Sequence, residues 1–205
     1  ISACLVGSEM CIRDSSNGGN GKISANQVNI ANNSTISTEI NGEGKPETAQ
    51  PANIIVNSEN LSLKSSQITA STNSNRNAGN INLNNNQINL DNGRITAITS
   101  GSGKGGNISI PNTQTLNLIN NSGIIALTSG AGEAGNLNFN ISESVTIDSG
   151  SFFNVETEAG GKAGQIIITS PVLTIGDNAE LSARSQANAT GEAGNITLTT
   201  NQLNI

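Results

Sequence analysis

Residues 79–100, GNINLNNNQINLDNGRITAITS, contain three short runs in which every second side chain is aliphatic. They are Ile81-Asn82-Leu83, Ile88-Asn89-Leu90 and Ile95-Thr96-Ala97. Alternation with period two sends the aliphatic residues to one face of an extended strand and the Asn and Thr residues to the other. The runs are joined by Asn84-Asn85-Asn86 and Asp91-Asn92-Gly93, residue types that accommodate tight turns. No single strand of this length buries a face by itself, so the stretch asks for copies of itself to stack on.

The copies are present. A small residue, a polar residue and an aliphatic residue open this unit as Gly79-Asn80-Ile81. The triplet recurs at Gly21-Lys22-Ile23, Ala52-Asn53-Ile54, Gly106-Asn107-Ile108, Gly135-Asn136-Leu137, Gly164-Gln165-Ile166 and Gly194-Asn195-Ile196. The last five glycines are 27, 29, 29 and 30 residues apart, and Gly21 to Gly79 is 58, or two units. Starts near 21, 52, 79, 106, 135, 164 and 194 therefore divide residues 16–205 into repeats of about 29. Each segment can lie on its counterpart in the next unit. The expected fold is all-β: a parallel β-helix, or solenoid, wound right-handed as parallel crossovers normally are. Its interior would consist of ladders such as Ile81, Ile108, Leu137, Ile166 and Ile196, and Leu90, Leu118, Ile147, Ile175 and Ile205. Prolines should avoid the strands. Pro111 and Pro171 fall at the turn after the first segment, and Pro46 and Pro51 in the connection 41–51. The last unit stops at Ile205 after its second segment, so the natural protein is expected to continue.

Composition agrees with a solenoid and excludes other classes. Hydrophobic residues make up 34% of the 205 and aromatics 1%, namely Phe139, Phe152 and Phe153, whereas Asn alone accounts for 34 residues. A compact core needs bulkier fillers, and a disordered linker has no reason to keep a period. The net charge of −6 offers no basic stripe, which speaks against nucleic acid and anionic membranes. No apolar run approaches the roughly 20 residues of a membrane span. Residues 1–15, ISACLVGSEMCIRDS, hold Cys4, Cys11 and Met10 and share nothing with the repeats; they read as an adaptor-derived, non-native segment. Without them the chain has no Cys, His, Met, Trp or Tyr.

The units at 59–83, ENLSLKSSQITASTNSNRNAGNINL, and 79–110 resemble the repeats of filamentous haemagglutinin-type exoproteins, especially cyanobacterial ones. The resemblance covers residues 18–205 and rests on the repeat pattern. It implies a secreted or cell-surface adhesin or structural stalk, exported by two-partner secretion through an outer-membrane barrel of the Omp85 type. It also implies a surface glycan or protein receptor as partner. The secretion domain with its NPNG-type motif is not among these residues. The alternative reading is a carbohydrate-active β-helix enzyme, a lyase or hydrolase, which needs carboxylates and basic groups converging across adjacent coils.

Candidate sites follow from stacking. Asn53, Asn80, Asn107, Asn136 and Asn195 would form an amide ladder, with side chains bonding to one another. Asp91, Asp148 and Asp177 share a corner where a calcium ion could bridge coils, but Lys64 and Asn120 intervene there and Asx turns explain the acids. Gln67, Arg94, Gly123, Phe152 and Glu180 occupy one column with no common chemistry. Outward Thr and Ser, as in Ile68-Thr69-Ala70-Ser71-Thr72 and Ile95-Thr96-Ala97-Ile98-Thr99, give way to Leu127-Thr128, Val155-Glu156-Thr157 and Ala183-Arg184-Ser185, too irregular for an ice-binding array. No catalytic, metal or cofactor residue is assigned. The connections 41–51, 73–77, 100–105 and 186–192 line one edge of the rod and are the first expectation for a recognition surface.

Overall fold

The computed structural model describes residues 10–14, 20–40 and 51–205. Pro46 and nearly all of the 41–51 connection lie outside the described residues, as do Cys4 and the rest of 1–9.

The chain is a parallel β-solenoid of six coils without a helix among the described residues. Strand β1 (Met10–Asp14) precedes the coils. The first coil is β2 (Gly21–Ser24), β3 (Gln27–Ile30) and β4 (Thr35–Ile40). The next four are β5 (Ile54–Lys64) with β6 (Gln67–Thr72), β7 (Ile81–Asp91) with β8 (Arg94–Thr99), β9 (Ile108–Ile119) with β10 (Gly123–Thr128), and β11 (Leu137–Ile147) with β12 (Phe152–Thr157). The sixth returns to three strands, β13 (Ile166–Thr169), β14 (Val172–Ile175) and β15 (Glu180–Ser185), and β16 (Ile196–Thr199) and β17 (Gln202–Asn204) begin a seventh. Every pairing is parallel. One sheet runs β1-β4-β6-β8-β10-β12-β15; the other runs β16-β13-β11-β9-β7-β5-β2, with β3, β14 and β17 completing it.

The ladders expected from the alternation are those observed. Ile81 pairs with Ile108, Ile108 with Leu137, Leu137 with Ile166, and Ile166 with Ile196. Leu90, Leu118, Ile147 and Ile175 form the second column. Ile205 falls beyond the end of β17 and is 94% exposed. The third strand adds Ile68, Ile95, Ile124 and Phe153, and apart from Ile196, 41% exposed, these ladders meet in one continuous core. Phe139 and Phe153 enter that core from opposite walls of the same coil and meet edge to face, 5.0 Å between centroids.

Three expectations need correction. First, the Asn84-Asn85-Asn86 turn is not a turn: β7 runs through it, as β5, β9 and β11 do through their equivalents. Asn85 points inward, 2% exposed, and donates to Ser58 Oγ at 2.6 Å, while Thr113 Oγ1 donates to the Asn85 carbonyl at 2.7 Å. Each bend is bonded to the previous coil, so the sheet curves there without breaking. Second, Pro111 lies inside β9. It is tolerated because the ladder skips it: pairing with β11 passes from Ile110 opposite Phe139 to Thr113 opposite Ile141. Pro171 sits in the bend between β13 and β14, as expected.

Third, the first unit is offset. Gly21 pairs with Ile54 and Ile23 with Val56, so Asn20, not Lys22, begins the Asn column. The first coil is correspondingly long, with 33 residues from Asn20 to Asn53. The connections after the third strand are also stacked, backbone on backbone. A Cβ on Gly79, Gly106, Gly135, Gly164 or Gly194 would lie 1.6–1.9 Å from a carbonyl oxygen of the preceding coil. Gly101 and Gly130, and Gly103, Gly132, Gly161 and Gly191, make two further columns of the same kind. Glycine is required because the backbones of successive coils touch.

The segment 1–15, set apart by composition, is described only at Met10–Asp14, whose backbone pairs with Ile36–Ile40 of β4. An open strand edge accepts any extended segment that reaches it.

Candidate functional site

The outward face of the seven-stranded sheet carries the densest chemistry. At each coil three side chains point away from the core, and strict register aligns them in three columns. The first is Thr35, Gln67, Arg94, Gly123, Phe152 and Glu180. The second is Ser37, Thr69, Thr96, Ile125, Asn154 and Ser182, and the third Glu39, Ser71, Ile98, Leu127, Glu156 and Arg184. The face is therefore graded along the rod: hydroxyl-rich on β4 and β6, apolar at Ile98, Ile125, Leu127 and Phe152, and charged at Glu156, Glu180 and Arg184, with Glu39 and Arg94 as further charges nearer β4.

A shallow trough follows this grading. One concavity, about 440 Å³, extends from Thr35 and Glu39 to Ile125, and a second, about 360 Å³, from Ile125 to Glu180 and Arg184. Ile125 borders both. On the hydroxyl-rich part, Thr69 and Thr96 hydroxyls are 2.8 Å apart.

The column expected to share no chemistry contains a contact that the sequence did not suggest. Arg94 lies over the Phe152 ring, 4.8 Å from its centroid, and also donates to the Asn121 carbonyl. Gly123 stands between them; a Cβ there would come within 2.8 Å of both Arg94 Nη1 and Phe152 Cζ. Its missing side chain lets residues two coils apart meet. Partial burial lowers the Arg94 pKa from its ordinary value. A glycine between two long side chains in one register column is the signal that could have disclosed the pair.

Glu156 is the other centre. Although it points outward it is only 3% exposed, because Asn154 Nδ2 donates to Oε2 at 2.7 Å, Arg184 Nη2 donates to Oε2 at 3.2 Å, and Gln186 Nε2 donates to Oε1. Burial pushes its carboxyl up, but the three hydrogen bonds and the Arg184 charge together outweigh burial and hold the pKa below the usual carboxylate value. The same pairing raises the Arg184 pKa. Such a carboxylate binds and orients; it is poorly suited to donate a proton near neutral pH.

The acids of the strand-two to strand-three corner are not brought together. Asp91 accepts from Asn120 Nδ2 at 2.8 Å and faces Lys64 Nζ at 3.8 Å. A full coil, with Ile119 and Asn120 at this corner, separates it from Asp148, which caps its own turn through Ser149 N–H at 2.6 Å. Asn92, Asn120, Asn121, Ser149 and Asn178 all have positive φ here, so the corner's composition answers to backbone geometry. No group of three or more His, Cys, Asp or Glu among the described residues is placed to hold a metal.

The edge formed by the stacked connections bears charge in alternation. Asn77, Lys104, Glu133, Lys162 and Glu192 occupy one column, with Lys104–Glu133 at 3.1 Å and Lys162–Glu192 at 2.6 Å. These ions neutralise one another from coil to coil.

No family model, no curated protein and no solved structure matches the chain.

Proposed function

We propose that the chain is a rod segment of a secreted bacterial surface adhesin or stalk of the filamentous haemagglutinin type, and that the trough on the seven-stranded face is its adhesive surface. The observation that carries this reading is the pair of concavities adjoining at Ile125, which together span six stacked strands, from hydroxyls through an apolar centre to a guanidinium–carboxylate pair. A rigid sheet holds these groups at a spacing of roughly 4.8 Å per coil, so many weak contacts add without an ordering cost at each. Export through an Omp85-type barrel fits a chain whose coils close one after another.

The competing reading, a carbohydrate-active enzyme, has Glu156 as its most enclosed carboxylate, and that group is already occupied by three donors. The two readings separate experimentally. Beads coated with the full chain should adhere to cell or glycan-coated surfaces under flow, and Ile125→Asp with Leu127→Asp should weaken that adhesion without altering the circular dichroism. Release of reducing ends or unsaturated products from a polysaccharide panel, abolished by Glu156→Gln, would establish the enzyme instead.

A further inference from the structure

The opposite face of the rod carries a row of amides whose orientation is forced. Asn20, Asn53, Asn80, Asn107 and Asn136 stand just before the first strand of successive coils. The Oδ1 of each accepts the backbone N–H of the next residue in the column, at 3.0 Å to Asn53 and 2.8 Å to Asn80, Asn107, Asn136 and Gln165. A backbone N–H can only donate, so the atom facing it must be oxygen, and each Nδ2 group is turned to the other side. Those of Asn53, Asn80 and Asn107 donate to no protein atom among the described residues; that of Asn136 reaches Asn107 Oδ1 at 3.2 Å. The expected side-chain-to-side-chain ladder is thus a side-chain-to-backbone ladder, and it leaves a line of free N–H donors.

Asn80, Asn107 and Asn136 of this row border an open groove of about 470 Å³. Asn82 and Asn138, two residues farther along their strands, add outward amides beside Ser109 and Ile167. No residue bordering the groove is charged. Coil stacking repeats the arrangement at roughly 4.8 Å along the rod.

We infer that this groove binds an extended neutral polysaccharide lying parallel to the rod axis. A row of outward amide donors favours a ligand that supplies acceptors in place of water. Hydroxyl and ether oxygens supply them along a sugar chain, and each hydroxyl rotates to present its lone pairs. A polyanion finds no cation here and meets a chain of net charge −6. An extended peptide alternates N–H donors with its C=O acceptors along each edge, so half of the groups it presents would oppose the row. The assignment rests on the adhesive reading and adds to it a second site, on the face opposite the trough; binding is measured on the isolated chain, so failure of the groove and failure of adhesion are read separately.

The test is affinity electrophoresis of the full chain through gels containing hydroxyethyl cellulose, neutral arabinoxylan, laminarin or polygalacturonate. Retardation by at least one neutral probe and none by polygalacturonate is expected. The double variant Asn80→Asp with Asn136→Asp keeps an oxygen for the N–H of Asn107 and Gln165 but replaces two donors by acceptors. It should lose at least tenfold in apparent affinity while retaining the β circular dichroism. Near pH 3, below the usual aspartate pKa of about 3.9, the protonated carboxyl regains a donor and retardation should return. Should that variant fail to fold, Asn82→Ala with Asn138→Ala removes donors that the fold does not use and should lose affinity likewise. No retardation by any neutral probe, retardation by polygalacturonate alone, or full retardation of a folded donor-removal variant would overturn the inference.

Discussion

Arg94 lies 4.8 Å from the centroid of the Phe152 ring although a complete coil separates their strands. The contact exists because Gly123, between them in the register, has no side chain to fill the gap. Its weight can be measured with a double-mutant cycle followed by circular dichroism in urea. Arg94→Ala should cost about 0.5–1 kcal/mol in the natural background, the usual range for an exposed cation–π pair. In a Gly123→Ala background, where the new methyl pushes both side chains aside, the same substitution should cost much less. Equal costs in both backgrounds would show that the pairing has no energetic weight.

The stacked glycines should be far less tolerant than their place in a connection suggests. Gly106→Ala or Gly135→Ala places a Cβ 1.8–1.9 Å from a carbonyl oxygen of the neighbouring coil, a backbone atom that moves only if the coils separate. Several kcal/mol of destabilisation, or failure to fold, is the expected outcome. Gly160→Ala is the control, since its nearest neighbour would be Thr190 Oγ1 at 3.5 Å. Thermal melting should leave that variant close to the parent.

Acid should loosen the β12–β15 clamp. The folded Glu156 carboxyl titrates below its unfolded value, so its stabilisation is complete above the unfolded pKa of about 4.3 and is lost as pH falls through the folded pKa. Stability from this group is therefore flat from pH 8 to about 5 and declines below about 4. Glu156→Gln should remove that part of the decline; urea midpoints at pH 3.5 and pH 7 for both proteins give the comparison.

A chain of these 205 residues alone should associate end to end. Ile196 and Leu203 belong to core ladders yet are 41% and 46% exposed in it. With the unpaired edges of β15, β16 and β17 they form a template for another chain. Sedimentation velocity should show concentration-dependent head-to-tail species. Leu203→Lys with Ile205→Lys should suppress them, and a strictly monomeric parent at high concentration would count against the idea.

Much of this fold was legible because its core is one-dimensional. The residue pairs Ile108 with Leu137 and Leu118 with Ile147 are read directly from a period of 29, without knowledge of any distant part of the chain. A misreading came where a residue type has two uses. Asn84-Asn85-Asn86 has turn chemistry, but Asn85 also fits an inward position when Ser58 is one coil away to accept its amide. The glycine connections have loop composition, yet their glycines answer to backbone contact between coils. The site was less legible: Glu156 sits in an ordinary outward position until Arg184 and Gln186 arrive from the next coil.

What the sequence by itself determined is the repeat, the alternation and hence which side chains face the core, since period and polarity are local properties and stacking identical units is the one way to bury them. What only the tertiary structure decided is the chemistry of the two outer faces. That chemistry depends on which columns adjoin and which way each amide or guanidinium turns. Arg94 reaches Phe152, and the Asn amides present their N–H groups outward, because partners in neighbouring coils, 27 to 33 residues away, bind the remaining atoms.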